Sequence, residues 1–275
     1  MILCLSFTVN IRAFPGYEGS CEDAHGIGEI KANYDSQAQI QLDGTPNENF
    51  WINHSNDKVT VPLSTATTVV PGYIVYLNLT FVYNDDFMYI LCMWNDTTIP
   101  SLEFYDGIFF CWNINVPNFT ADYSSGMTTI NMGGGEVDSW NWRCDEIVGT
   151  GVPDYCEDAY FNDVVGITPY EDQNVEMAYT VVENETYTLE IKRALKTNDQ
   201  HDIQFKKNGG LYKFNLAIMN DNMDEGHAIS WTWALNMGFL KSEFPFETIL
   251  IISSVCVVGV IAIISGVVYK KKRNG

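Results

Sequence analysis

Residues 73–83 read YIVYLNLTFVY, a run in which apolar and polar side chains alternate with a period of two. Val75, Leu77 and Leu79 would lie on one face of an extended chain, and Asn78 would lie on the other. This alternation is typical of a β-strand that buries one face.

The same pattern recurs in TYTLEIKRAL at 186–195 and in YKFNLAIMN at 212–220. Turn signals such as VPGY, YNDD and NGG separate these runs, and no segment before residue 248 has a sustained helical period. Many strands with one polar face predict an all-β fold, an antiparallel β-sandwich rather than a parallel α/β fold.

The C-terminal residues predict a membrane anchor. TILIISSVCVVGVIAIISGVVY at 248–269 has no charge and is long enough to cross a bilayer, and KKKRNG follows it. By the positive-inside rule the tail is cytoplasmic and the preceding domain is extracellular, as in a single-pass protein of the cell membrane. The predicted segments are a signal peptide at 1–19, an ectodomain at 20–240, a stalk at 241–247, a transmembrane helix at 248–269 and a tail at 270–275.

The signal peptide is inferred from the apolar run MILCLSFTV at 1–9, although no positive charge precedes it. A first β-strand, or a start codon placed too late, would explain the same residues. The chain carries 35 acidic and 15 basic residues, for a net charge of −20. This charge excludes nucleic acid as a natural partner. It permits a basic redox partner or a cationic surface, or reflects only a well-solvated protein.

Cysteines and glycosylation motifs agree with a secreted glycoprotein. Five cysteines lie between the signal peptide and the anchor, which permits two disulfides and one free thiol. Cys144 with Cys156 would close a short loop, and Cys92 and Cys111 lie in neighbouring predicted strands. The five N-x-Ser/Thr motifs begin at Asn53, Asn78, Asn95, Asn118 and Asn184.

No motif of a hydrolase, a nucleotide-binding loop or a zinc protease occurs, so no catalysis is expected from this chain. Asn220, Asn222 and Asp224 have the first spacings of a calcium-binding EF-hand loop. The glycine comes one place late at Gly226 and the twelfth position is Trp231 instead of Glu, so that motif fails.

Two segments contain residues that could hold haem. INMGGGEVDSWNWR contains Met132 followed by Trp140, Trp142 and Arg143, and GHAISWTW contains His227. A thioether and an imidazole are a competent axial pair for haem iron, and arginine could neutralise a propionate. Considered singly, each residue has a plainer explanation in core packing.

At these residues the sequence resembles the haem-binding γ subunits of ethylbenzene dehydrogenase and its relatives. Their β-sandwich superfamily also includes the DOMON cytochromes and the family-nine carbohydrate-binding modules. The resemblance covers most of the ectodomain, and its motifs are individually short. They are, in chain order, IQLDGTPNENFW, VYLNLTFVYNDDFMYILCMWNDTT, YDGIFFCWNINV, INMGGGEVDSWNWR, YTLEIKRALKTNDQHDIQF, LYKFNLAIMNDN and HAISWTW.

The resemblance implies a non-covalent b-type haem with Met132 and His227 as its axial metal ligands. His227 stands where ethylbenzene dehydrogenase has a lysine, a departure that DOMON cytochromes share. Met127, His201 and Lys196 are rival ligands if the alignment shifts. Trp140, Trp142, Arg143 and Trp231 would complete the cofactor site.

The function implied is electron transfer outside the membrane between a partner redox protein, such as a molybdenum oxidoreductase, and an acceptor. The alternative is a cell-surface carbohydrate-binding module of the same fold without haem. In that case Trp140, Trp142, Trp231 and Trp233 would form a platform for a glycan and Met132 would be packing. A surface adhesion component with no small ligand is a third hypothesis.

Overall fold

The computed structural model describes residues 28–64, 74–96, 106–117, 119, 135–144, 155–162, 166–169, 173–182, 186–219 and 228–238. All of them belong to a compact unit that spans Met1–Phe239. They form strands and a short helix, namely β1 (Gly28–Lys31), β2 (Asn33–Tyr34), α1 (Asn49–Asn53), β3 (Val59–Ser64), β4 (Ile74–Tyr83), β5 (Phe87–Asn95), β6 (Asp106–Asn113), β7 (Glu136–Cys144), β8 (Tyr155–Asn162), β9 (Gly166–Pro169), β10 (Val175–Val182), β11 (Thr186–Ala194), β12 (Leu211–Met219), β13 (Ala228–Ile229) and β14 (Trp233–Asn236).

The strands follow one path, in the order β10-β11-β5-β4-β3-β13-β12-β6-β7-β8-β9. We call β10-β11-β5-β4-β3 the first sheet and β12-β6-β7-β8-β9 the second sheet. Neighbours along the path are antiparallel, whereas the short pairs β1–β14 and β2–β4 are parallel. The prediction of an all-β, antiparallel fold is confirmed.

The inner faces of the two sheets meet through aromatic rings. Phe81 of the first sheet lies 6.4 Å, between ring centroids, from Trp112 of the second, and Trp94 lies 6.2 Å from Trp142. Tyr187 stacks on Trp94 at 5.0 Å. These rings are fully buried, so most of the apolar area that stabilises the fold lies between the two sheets.

The period-two alternation correctly identified the inner face. The predicted inward residues of β4, β11 and β12 are buried, whereas Tyr76 on the other face of β4 is 57% exposed. Alternation fails for β11 and β12 in one respect, because Glu190 and Asn215 on their outward faces are also buried.

Glu190 is buried because the segment that contains Gly44 and α1 packs on the outer face of the first sheet. One carboxylate oxygen of Glu190 accepts hydrogen bonds from the backbone N–H groups of Gly44 and Asp43 at 2.9 and 3.3 Å. The other accepts from the indole N–H of Trp51 at 3.0 Å. Gly44 has a φ of 75°, a left-handed conformation that favours glycine.

The predicted signal peptide, stalk, transmembrane helix and cytoplasmic tail lie outside the described residues. Within the described ranges, no helix has the length and apolar character needed to cross a membrane. Two of the glycosylation motifs are surface-exposed, at Asn53 and Asn95, and Asn78 is partly exposed.

The predicted disulfides are absent among the four cysteines that the structure describes, all of which are free thiols. Cys92 points into the core from β5, whereas Cys111 points away from it on β6, so this pair cannot be bridged. The thiol of Cys144 donates to the Tyr179 hydroxyl at 3.5 Å, and that of Cys156 donates to the Val175 carbonyl at 3.4 Å.

Candidate functional site

Trp140 and Trp142, predicted for both the haem and the glycan sites, lie on the inner face of β7 and are fully buried. Trp142 contacts Tyr179 of the first sheet, with ring centroids 4.8 Å apart. The ring centroids of Trp140 and Trp112 are 5.1 Å apart, and the guanidinium carbon of Arg193 lies 5.0 Å from the centroid of the Trp140 ring. Both indoles are enclosed between the sheets, so neither ring face is exposed to solvent in this structure.

The predicted iron ligands Met132 and His227, and the rival Met127, lie outside the described residues. In the sequence Met132 precedes β7 and His227 immediately precedes β13. The ring of the rival ligand His201 stacks on that of Tyr160, with centroids 4.2 Å apart. Its Nδ1 is 2.9 Å from a carboxylate oxygen of Glu136.

The other rival ligand, Lys196, lines a surface groove of about 840 Å³ together with Lys206 and Asp86. Trp231 and Trp233 are partly buried. Trp231 lies between β13 and β14, which both pair with β12.

Arg143, the remaining predicted site residue, is partly buried and lies on the outer face of β7 together with Ser139 and Asn141. The strand register sets these residues in rows across the second sheet. Asn141 is opposite Phe109 on one side and Glu157 on the other. We call Ser139, Asn141, Arg143, Glu157 and Asn215 the polar face.

A second row crosses the same face one step along the strands. Asn215 of β12 is opposite Cys111 of β6, which is opposite Ser139 of β7. A hydrogen bond joins the Cys111 thiol to the Ser139 hydroxyl, but burial dominates and raises the pKa of Cys111 to about 12. The thiol is therefore protonated at neutral pH and serves as a weak polar group, not as a nucleophile.

The polar face is withdrawn from water. Asn215 is 0% exposed, Ser139 1%, Asn141 5% and Glu157 9%. A sheet face built from apolar residues would lose nothing by such burial, whereas amides and carboxylates lose their hydration. These residues therefore require hydrogen-bonding partners.

Two side chains of the polar face have atoms that lack such partners. Within the part of the chain that the structure describes, both the Nδ2 and the Oδ1 of Asn215 are buried without a hydrogen bond, as is the Oδ1 of Asn141. Leaving a buried polar group unsatisfied costs about 1–3 kcal/mol. Buried groups of this kind are rare in folded proteins and are often found where a ligand binds.

The polar face combines hydrogen-bond donors and acceptors. Arg143 supplies donors, Glu157 supplies acceptors and the Asn215 amide supplies both, which are the complements of a hydroxyl. Phe109 lies in the row of Asn141 and adds an apolar ring among these groups. Backbone hydrogen bonds of the antiparallel ladder hold all of these positions in fixed register.

Of the polar face, sequence reasoning named Arg143 as a site residue and did not name Ser139, Asn141, Glu157 and Asn215. The signal lay in the quoted segment SWNWR, where the polar residues alternate with the tryptophans. Period-two geometry places the tryptophans on one face and the polar residues on the other. With the tryptophans in the core, the alternate positions lie on the outer face of the second sheet.

No protein-family model matches this chain, and no curated protein matches it. The structure is similar to a family-nine carbohydrate-binding module from Caldicellulosiruptor kristjanssonii in complex with cellotriose (12% identity, TM-score 0.43, 78% of this chain and 96% of that chain). It is also similar to a proposed carbohydrate-binding protein from Bacteroides uniformis (10% identity, TM-score 0.46, 76% of this chain and 98% of that chain). Scores this low support no inference about the ligand of this chain.

Proposed function

We propose that this chain is a non-catalytic carbohydrate-binding protein that takes a neutral saccharide on the polar face of its second sheet. The observation that carries the proposal is the Asn215 side chain, fully buried with neither amide atom hydrogen-bonded among the described residues. A sugar hydroxyl both donates and accepts hydrogen bonds, so one vicinal pair of hydroxyls would satisfy this amide completely.

The surrounding residues support the same ligand class. Glu157 and Asn141 are opposite one another in the strand register and supply acceptors for neighbouring hydroxyls. Aromatic rings next to such groups pack against the apolar faces of pyranose rings, and Phe109 occupies that position. The net charge of −20 disfavours anionic polysaccharides, so the saccharide is neutral.

The cellular setting follows from the sequence. The domain would be displayed outside the cell and held at the membrane by the predicted helix at 248–269. The chain lacks the motifs of a hydrolase, so binding at this position serves attachment or capture, not turnover.

The experiment is a binding screen of the purified full-length chain against neutral and acidic oligosaccharides, repeated with Asn215→Leu. Leucine has the branched shape of asparagine without its polar atoms. Losing two hydrogen bonds of about 0.5–1.5 kcal/mol each should weaken binding roughly 10-fold or more. Tyr76→Ala removes an exposed aromatic residue from the first sheet and should leave binding unchanged.

Binding that Asn215→Leu leaves intact, or a screen with no bound saccharide, would overturn the proposal. The haem hypothesis stays a prediction, because Met132 and His227 lie outside the described residues. An absorption spectrum of the same sample after addition of haem tests it. Split visible bands on reduction, lost in His227→Ala, would replace the saccharide with a b-type haem and restore the partner oxidoreductase.

A further inference from the structure

Three carboxylates converge at a second place, on the inner face of the second sheet. Asp138 of β7 and Asp158 of β8 are diagonal neighbours, because Asp158 pairs with Trp140 and Asp138 with Tyr160. Asp202 joins them from the loop after β11. One carboxylate oxygen from each lies within 4.8 Å of the others. We call these three residues the carboxylate cluster.

The cluster is buried and unbalanced in charge. Asp138 and Asp158 are 0% exposed and Asp202 is 2% exposed. Arg193 is the cation that forms ion pairs with the cluster among the described residues, through its Nη2 at 3.2 Å from Asp138 and 3.1 Å from Asp202. With all three carboxylates ionised, a single guanidinium leaves two negative charges uncompensated.

In each of the three carboxylates, hydrogen bonds from the protein reach the Oδ2 atom. The Oδ2 of Asp138 accepts from the Ile203 N–H at 2.9 Å as well as from Arg193. The Oδ2 atoms of Asp158 and Asp202 accept from the backbone N–H and the side-chain amide of Asn174, both at 3.3 Å.

All three Oδ1 atoms are buried without a well-formed hydrogen bond from the residues that the structure describes, although the nearby Trp140 indole N–H acts to lower the pKa of Asp138. The Nε of Arg193 and the indole N–H of Trp140 are buried donors beside the cluster that also lack partners among the described residues. Three unsatisfied acceptors in one cluster are the pattern expected for the ligands of a cation. Each Oδ2 is held by the protein, so the cluster is also oriented, as the ligands of a metal usually are.

The alternative to a cation is protonation. Burial, opposed by Arg193, raises the pKa of Asp138 to about 7, and burial together with the other carboxylates raises that of Asp158 to about 9. Shared protons would form hydrogen bonds from one carboxyl group to another. A cation would neutralise the same carboxylates without added protons, and only a cation makes the stability of the fold depend on added metal.

We propose that Asp138, Asp158 and Asp202 bind a hard divalent cation through one carboxylate oxygen each, and that the cation is Ca²⁺. Oxygen-only ligands favour Ca²⁺ or Mg²⁺ over transition metals. Ca²⁺ accepts irregular arrangements at 2.3–2.6 Å, whereas Mg²⁺ demands a near-ideal octahedron and keeps several waters, which suits a buried site poorly. Its two charges, added to that of Arg193, neutralise the three carboxylates.

We expect the bound cation to stabilise the folded state. It ties the neighbouring strands β7 and β8 to the loop after β11, in which Asp202 lies next to Ile203. A ligand that binds only the folded state raises stability according to its concentration and affinity. The inference is independent of the saccharide, because the cluster and the polar face lie on opposite faces of β7.

The test begins with the purified full-length chain stripped by a chelator and unfolded by heat with Ca²⁺, Mg²⁺ or no metal. Ca²⁺ should raise the unfolding temperature by several degrees and Mg²⁺ by less. Asp158→Asn keeps the shape but removes a charge, and should weaken Ca²⁺ binding roughly 10-fold or more. The exposed Glu176→Gln is the control and should bind as wild type.

Terbium luminescence gives a second measurement that does not depend on unfolding. Tb³⁺ occupies Ca²⁺ sites, and the Trp140 ring beside Arg193 would sensitise its emission. Emission excited through tryptophan should be present in wild type and lost in Asp158→Asn and Asp202→Asn. Absence of any Ca²⁺ effect would overturn the proposal. So would an effect that survives both variants and disappears in Asp224→Asn, because the ion would then be bound by the 220–226 segment.

Discussion

The outer faces of the two sheets both contain a buried polar residue, and the two residues are held differently. Glu190 on the first sheet receives three hydrogen bonds, from the Trp51 indole and the backbone of Asp43 and Gly44. Asn215 on the second sheet receives none within the described part of the chain. Burial alone therefore does not show whether a polar group is hydrogen-bonded within the protein.

The two residues differ in whether their hydrogen bonds are made within the protein. A polar group whose partners belong to its own chain contributes to stability, and removing it exposes those partners as unsatisfied. A buried group without such partners lowers stability until a ligand binds, which is the usual trade between function and stability. Variants on the two faces should therefore change stability in opposite directions.

The largest effect is expected on the first sheet, at Glu190. Glu190→Leu leaves the Trp51 indole and two backbone N–H groups buried without acceptors, and should lower the free energy of unfolding by roughly 4–5 kcal/mol. Denaturant unfolding followed by tryptophan fluorescence measures this change. Glu176→Leu on the exposed face of β10 should change it by less than about 0.5 kcal/mol. Equal effects of the two variants would remove the distinction between a satisfied buried carboxyl and a surface one.

Dependence on pH gives the next effect. Burial, reinforced by the nearby charge of Glu48, raises the pKa of Glu190 from 4.5 to about 7. The folded state then holds a proton that the unfolded state releases. The contribution of Glu190 to stability is complete below pH 4.5 and is lost as the pH rises to about 7. Glu190→Gln cannot titrate, so the curves of unfolding free energy against pH should differ in slope across this window and run parallel above it.

Gly44 should show a smaller loss, because it positions the segment that satisfies Glu190. Its φ of 75° is left-handed, and a Cβ at this position would meet the backbone of Tyr179. Gly44→Ala should therefore lower the free energy of unfolding by roughly 2–3 kcal/mol. Gly238→Ala is the matched control, since a Cβ there meets nothing within 4 Å. A neutral Gly44→Ala would show that this turn does not position the donors to Glu190.

Much of the fold was predictable from the sequence, because the inner faces obey simple alternation. Leu77 and Leu79 on β4 are buried as the period of two requires. The same rule applied to SWNWR would have placed Trp140 and Trp142 together in the core. Their chemistry alone, an aromatic ring beside possible haem ligands, does not indicate this position.

The carboxylate cluster could not be predicted in the same way. Asp138, Asp158 and Asp202 lie far apart in the sequence, on two strands and a loop. Each of them, considered alone, resembles an ordinary surface acid of an acidic protein. Only the register of β7 with β8 and the return of the chain after β11 bring them together. Contacts between distant segments carry no local pattern that periodicity can detect.

The smallest effect, and the one with the opposite sign, is expected for Asn215→Leu on the second sheet. Leucine removes two buried polar atoms that have no partner among the described residues and keeps the volume of the side chain. The free energy of unfolding should stay level or rise by up to about 1 kcal/mol, measured without ligand. A loss of several kcal/mol would mean that the Asn215 amide is satisfied within the protein, as Glu190 is. Asn215 would then be part of the scaffold, and the polar face would lose the residue that most favours a bound saccharide.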